Sequence, residues 1–221
     1  MTKLIIFLII GTVLMCGPIV LVAKKHMIGT IKAIAATVIL TVCGTSGTLL
    51  MYYIENGKFG GLSFFGAVFL VPIVFVLVAL ILRVPYNKLM DCCAVGECVM
   101  LALMKVHCIL SGCCIGRPLY VTEKGDVLFP SRSVELVVAI IIFAILFFWA
   151  MKGKFTGQLY AWYLVIYGLT RFVLNIFREA WVTKQMLLPF GNIWSLVAIF
   201  VGVIWLLVIW KRNKNDKQTA I

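Results

Sequence analysis

Apolar positions in this chain leave almost no room for a polar face. Seven stretches, at 4–23, 31–54, 62–82, 90–112, 134–151, 157–177 and 188–210, are apolar on all sides rather than along one stripe. Each approaches the roughly 20 residues that a helix needs to cross a hydrocarbon core of about 30 Å. In lipid a helix satisfies its own backbone hydrogen bonds and has no use for a wet face. The pattern predicts an all-α integral membrane protein with about seven transmembrane helices. Residues 1–210 then form a single polytopic membrane domain, and 211–221 a short polar cytoplasmic tail. The fourth stretch is the least regular, because it carries Asp91, Glu97, Lys105 and His107.

Composition agrees. Apolar types make up 63% of the 221 residues and charged types 13%, against about a half and a quarter in a soluble domain. The formal net charge of +12 would suggest nucleic acid in a soluble protein. Here the basic residues fill the gaps between apolar runs, and no nucleic-acid motif accompanies them, so topology and anionic headgroups are the better match. With the N-terminus outside, eleven Lys and Arg fall on the inner side and seven on the outer. That bias predicts N-outside and C-inside. The first run, Leu4–Ala23, is long for a signal peptide and lacks a small-x-small site before Lys24-Lys25, so it is read as a retained helix.

Charges inside a bilayer are costly and usually face a cavity or a partner. Asp91, Glu97, Lys105, Glu135 and Arg171 are the candidates. Tyr167, Arg171 and Asn175 follow at intervals of four and share a helix face. Glu135 and Asp91 have a structural alternative, as carboxylates receiving hydrogen bonds near a helix start. An Arg at position 171, deep in a Tyr-rich apolar helix, fits the recognition of phosphate oxygens better than packing.

Glycines cluster at two span ends, in Gly57–Gly66 and Ser111–Pro118. They permit tight turns and close backbone approach. Cys92, Cys93, Cys98, His107, Cys108, Cys113 and Cys114 crowd into 92–114. Their spacing matches no zinc framework and contains no C-x-x-C, so no metal or cofactor is expected. Free Cys also serves as a small apolar core residue, and a Cys113-Cys114 disulfide would be strained.

Five blocks, in order, resemble the bacterial prolipoprotein diacylglyceryl transferases. Gly60-Gly61-Leu62-Ser63-Phe64-Phe65-Gly66 is similar to the family's Gly-Gly-x-Ser-Phe-His-Gly segment. Asp91, Ala94, Gly112, Cys113, Cys114 and Gly116 match the Cys-Cys version of its signature. Pro130-Ser131 through Glu135, Tyr167-Gly168-Leu169-Thr170-Arg171-Phe172 and Phe190–Ser195 resemble three further blocks. The resemblance implies an enzyme of the bacterial plasma membrane. It would move a diacylglyceryl group from phosphatidylglycerol to the thiol of a lipobox Cys in a prolipoprotein signal peptide, releasing glycerol phosphate. On this sequence Arg171 and Lys105 would hold the phosphate, with Asn175 beside them as the third catalytic position. Asp91, Gly60, Gly61, Ser63, Phe65, Cys108, Gly112, Cys113, Gly116, Glu135 and Tyr167 would form the substrate-binding surround.

The chain departs from the family pattern at defined points. Phe65 stands in place of a His, Lys105 of an Arg, Cys108 of the frequent Asn, and Asn175 of a Glu four residues after the Arg. The phosphate-holding positions are kept better than the thiol-activating ones. A non-catalytic lipid- or lipoprotein-binding relative is the alternative that these losses support. A small-solute transporter would need inverted repeats, which are not evident, and a thiol-redox enzyme is the fourth reading.

Overall fold

The computed structural model describes residues 2–114, 116–122, 125–178 and 190–219. The apolar runs close their backbone bonds internally as α1 (Thr2–Lys25), α2 (Thr30–Asn56), α3 (Phe65–Leu82), α4 (Tyr86–Ser111), α5 (Ser131–Met151), α6 (Leu159–Ile176) and α7 (Phe190–Thr219). All seven are long and apolar enough to cross a membrane. The bounds follow the expected spans within a few residues, except at the end. There α7 runs on to Thr219, so the tail expected from Lys211 begins as helix. Residues 188–189, at the start of the last expected span, and Lys124, Lys184 and Glu179 lie outside the described residues.

The sequence pattern gave no sign of a small hairpin that joins α4 to α5. Strands β1 (Pro118–Thr122) and β2 (Gly125–Leu128) pair antiparallel, with Val121 opposite Asp126. Its base is tied to the end of α6: Arg117 donates its N–H to the Phe177 carbonyl, and Gly116 bridges Arg178.

Helix α4 is the centre of the bundle, packed on α1, α3, α5 and α6. Ten consecutive residues, Leu89 to Cys98, are buried on every side. Neighbours can approach from all directions only if the side chains are small. This accounts for Cys92, Cys93, Ala94, Gly96 and Cys98, of which Cys93 and Cys98 are packed in the core as apolar groups. A Cβ on Gly96 would come within 2.6 Å of Ile19 Cδ1. Helices α2 and α3 cross backbone to backbone at Gly47 and Gly66, where a Cβ on Gly66 would sit 1.8 Å from the Gly47 carbonyl oxygen.

Pro72 interrupts α3 and leaves the Val68 carbonyl without its usual amide donor four residues on. The Tyr160 hydroxyl on α6 donates to that carbonyl at 2.9 Å, and the Tyr86 hydroxyl on α4 donates to the Pro72 carbonyl at 3.1 Å. Two tyrosines thus satisfy the proline-broken helix without water, as a bilayer requires. Large apolar side chains such as Ile9, Ile73, Leu80 and Phe200 face outward, toward lipid.

Candidate active site

Helix α5 opens with Ser131, and one turn later Glu135 points inward, only 4% exposed. Lys105 from α4 pairs with its Oε2. The Arg171 guanidinium from α6 lies 2.7 Å from the same oxygen, and Arg178 Nε lies 3.9 Å from Oε1. The Ser131 hydroxyl donates to Oε1 at 3.2 Å. One carboxylate is therefore shared by three cations that come from two other helices and the turn after α6. The cluster itself carries two more positive charges than negative ones.

Those cations form part of the wall of a cavity of about 1050 Å³. Its polar lining includes Ser63, Lys105, Arg171, Asn175 and Arg178, and Glu97 lies deeper. Toward mid-helix levels Met15, Leu40, Ala67 and Leu101 make the wall largely apolar, with the hydroxyls of Thr41, Thr45 and Thr48 among them. The loop before α3 supplies Gly60 and Gly61, and α3 opens on Phe65. Phe65 packs its ring against Tyr167, with centroids 5.5 Å apart. Tyr167 is stacked in turn on Tyr163. Asn175 Nδ2 is buried without a hydrogen-bond partner among the described residues.

Of the residues singled out from sequence, Arg171, Lys105, Asn175, Gly60, Gly61, Ser63, Phe65, Cys108, Cys113 and Tyr167 line this one cavity. Glu135 stands behind it as the shared partner of the cations.

Three of the expected site residues lie away from this cavity. Asp91 does not join the site. It lies fourteen residues before Lys105 on α4, about 21 Å along the axis at 1.5 Å per residue. Its carboxylate accepts the Gly157 N–H at 2.5 Å and the Leu159 N–H at 2.9 Å, and meets His26 Nε2 at 3.2 Å. It therefore ties the start of α6, not of its own helix, to the α1–α2 turn. Gly112 is not part of the cavity wall. It ends α4 in the left-handed conformation, φ 72°, and its carbonyl accepts from Arg132 Nη2 at 2.9 Å. Gly116 is buried under the Phe129 carbonyl, where a Cβ would be 2.0 Å from the oxygen, and serves the hairpin.

Sequence reasoning missed Arg178, which reads as an interfacial charge just beyond a span. It also missed the consequence of the turn after α4. Gly112 and then Cys114, at φ 60°, reverse the chain. The reversal brings Cys113 and Cys114 back over Cys108, with all three sulfurs within 4.8 Å of one another. The hydrogen bond between the Cys108 and Cys114 sulfurs, 3.9 Å apart, lowers the Cys114 thiol from its ordinary range, and the charges of Arg178 and Lys105 act the same way against burial.

Comparison with known proteins gives this geometry a context. The sequence model of a family described as prolipoprotein diacylglyceryl transferase matches residues 4–209. The chain belongs to that family. A Wolinella succinogenes phosphatidylglycerol–prolipoprotein diacylglyceryl transferase is 33% identical over 57% of this chain and 49% of its own length. Transferases of the same name from Campylobacter hominis and Campylobacter curvus are 28% and 30% identical, over 74% and 68% of this chain. The matches span 62% and 60% of those two proteins. The chain thus spans about half to under two thirds of the length of these curated relatives.

Proposed function

We propose that this protein transfers the diacylglyceryl group of phosphatidylglycerol to the thiol of a lipobox cysteine in a prolipoprotein signal peptide, in a bacterial plasma membrane. The observation that carries the reading is the Glu135 carboxylate shared by Lys105, Arg171 and Arg178 at the wall of a cavity whose deeper lining is mostly apolar apart from Thr41, Thr45, Thr48 and Glu97. Excess positive charge beside an apolar recess suits one anionic lipid, headgroup at the cations and acyl chains below.

Arg171 offers a planar fork to two phosphate oxygens, and Lys105 adds a compact charge. The acceptor sulfur attacks the glyceryl carbon, and the C–O bond to phosphate breaks. Glycerol phosphate leaves with an added negative charge, which fixed cations in a poorly solvated site stabilise. Glu135 is a positioning residue that holds the three cations together. Asn175, whose amide has no partner among the described residues, can donate to a phosphate or glycerol oxygen. Gly60, Gly61, Ser63 and Tyr167 shape the entrance and wall. With the N-terminus outside and the C-terminus cytoplasmic, the ends of α2, α4 and α6 that surround the cavity face the outer side, where an exported preprotein arrives.

Phe65 favours a second reading. It fills with a hydrocarbon ring the position where the resembling family carries an imidazole, and the chain then binds lipid without turnover. A transfer assay on the purified protein in nanodiscs separates the two. Acyl-labelled phosphatidylglycerol and a lipobox peptide are expected to give labelled peptide, and a Cys→Ala peptide none. Lipid binding by folded protein without any transfer would move the assignment to the non-catalytic relative.

A further inference from the structure

The transferase reading leaves one group of side chains unused and one chemical need unmet. The need is a means to deprotonate the acceptor thiol, since Phe65 is not a base. The group is Cys108, Cys113 and Cys114, at the cavity wall on the same side as the cations.

Their arrangement has the dimensions of a metal site. Cys108 and Cys114 sulfurs are 3.9 Å apart, and all three sulfurs lie within 4.8 Å of one another. Zinc bound at about 2.3 Å by tetrahedral thiolates separates its ligands by about 3.8 Å. Cys108 is fixed on the last turn of α4, and the other two come from the turn that follows. Cys114 holds a left-handed conformation, φ 60°, that a residue with a Cβ seldom adopts. That conformation helps carry the chain back toward Cys108. Lys105 and Arg178 line the same cavity as the three cysteines, and they offset the negative charge that three thiolates around a dication would carry. Among the described residues the group has three members. His107 lines the same cavity but packs its ring edge-on against Phe7, with centroids 5.0 Å apart. Three protein ligands with an open fourth position are the pattern of catalytic rather than structural zinc.

We propose that Cys108, Cys113 and Cys114 bind a thiophilic cation, zinc, whose open position faces the cavity and takes the acceptor thiol. The binding site stands on the geometry alone; its catalytic use rests on the transferase reading. A thiol that coordinates zinc loses its proton, here to water at the cavity mouth. The zinc-bound sulfur then attacks the glyceryl carbon, and the C–O electron pair departs on glycerol phosphate beside Arg171. The product thioether is neutral and a weaker ligand, so it leaves while the metal stays. Nothing is oxidised or reduced. The metal supplies to the incoming sulfur what an imidazole would otherwise supply.

The test uses the full chain, purified under reducing conditions, stripped with chelator and loaded with zinc or cobalt(II). The expected result is one metal per chain and, for cobalt, a sulfur charge-transfer band with the visible bands of a tetrahedral site. Both are lost in the C108S/C113S/C114S variant and kept in C16S, which lies away from the cluster. A lipobox peptide should shift the cobalt bands, and its Cys→Ser form should not. Absence of the bands in reduced protein, their persistence in the triple variant, or a Cys108–Cys114 disulfide that survives reduction would overturn the site. Full transfer by metal-free protein would overturn its catalytic use while leaving the transferase reading intact. Bands that form and shift with peptide, without any transfer, would support the site and sink the transferase reading.

Discussion

Helix α4 carries an intramembrane charge toward each end, and the two ends handle it differently. At the first, Asp91 is wholly buried and each carboxylate oxygen has a partner: the Gly157 amide and His26 on one, the Leu159 amide on the other. At the other end, Lys105 joins Arg171 and Arg178 around one carboxylate, beside a cavity. The closed end fastens three parts of the bundle, and both Asp91 oxygens are taken up in doing so. The open end keeps positive charge in excess in the Glu135 cluster and an Asn175 amide without a partner among the described residues. A charge in the membrane is thus a weak sign of function by itself. The stronger sign is a charge whose own neighbours do not neutralise it.

The contrast can be broken by substitution. The largest expected effect is at the open end: Arg171→Ala should lower lipid transfer about 100-fold or more, the usual result of removing a group that stabilises transition-state charge. The protein should still insert and run as a folded species on size exclusion. Asp91→Ala should do the reverse. Leaving two buried N–H groups unsatisfied costs about 1–3 kcal/mol each. The thermal midpoint in detergent should fall, while the fraction that stays folded transfers lipid at the normal rate. Lys105→Arg sharpens the comparison by restoring a fork beside Glu135, and transfer at or above the wild-type rate is expected in the same assay. The smallest effect falls between the two ends. Tyr160→Phe removes the hydroxyl that serves Val68 and Glu97, for about 0.5–1 kcal/mol in a denaturation series, with little change in transfer.

Much of this arrangement is legible in the chain because lipid imposes a simple rule. Apolar runs long enough to span had to become helices, and their bounds followed. Arg171 and Lys105 could be named because a charge is conspicuous in such a run, and their meeting at one cavity agrees with the Tyr167, Arg171, Asn175 helix face. The partner of Asp91 could not be read, since it depends on where α6 begins in space, 68 residues later. Arg178 stayed hidden because it follows the span and turns inward only through the hairpin contact at Gly116. The three cysteines escaped for a related reason. Sequence spacing says nothing about two left-handed residues on either side of Cys113, Gly112 and Cys114, which fold the turn back on the helix. The cysteines at 92, 93 and 98 looked similar in sequence, yet are buried along α4, where small side chains let its neighbours close in.

The central claim is that the open end of α4 recognises a lipid phosphate. It is tested most directly by comparing the binding of phosphatidylglycerol with that of diacylglycerol, which has the same acyl chains and no phosphate, in native mass spectrometry of the wild type and Arg171→Ala. The account predicts that the wild type prefers phosphatidylglycerol and that the variant loses this preference while both still bind acyl chains. Equal binding of the two lipids by the wild type, or an undiminished preference in the variant, would contradict it.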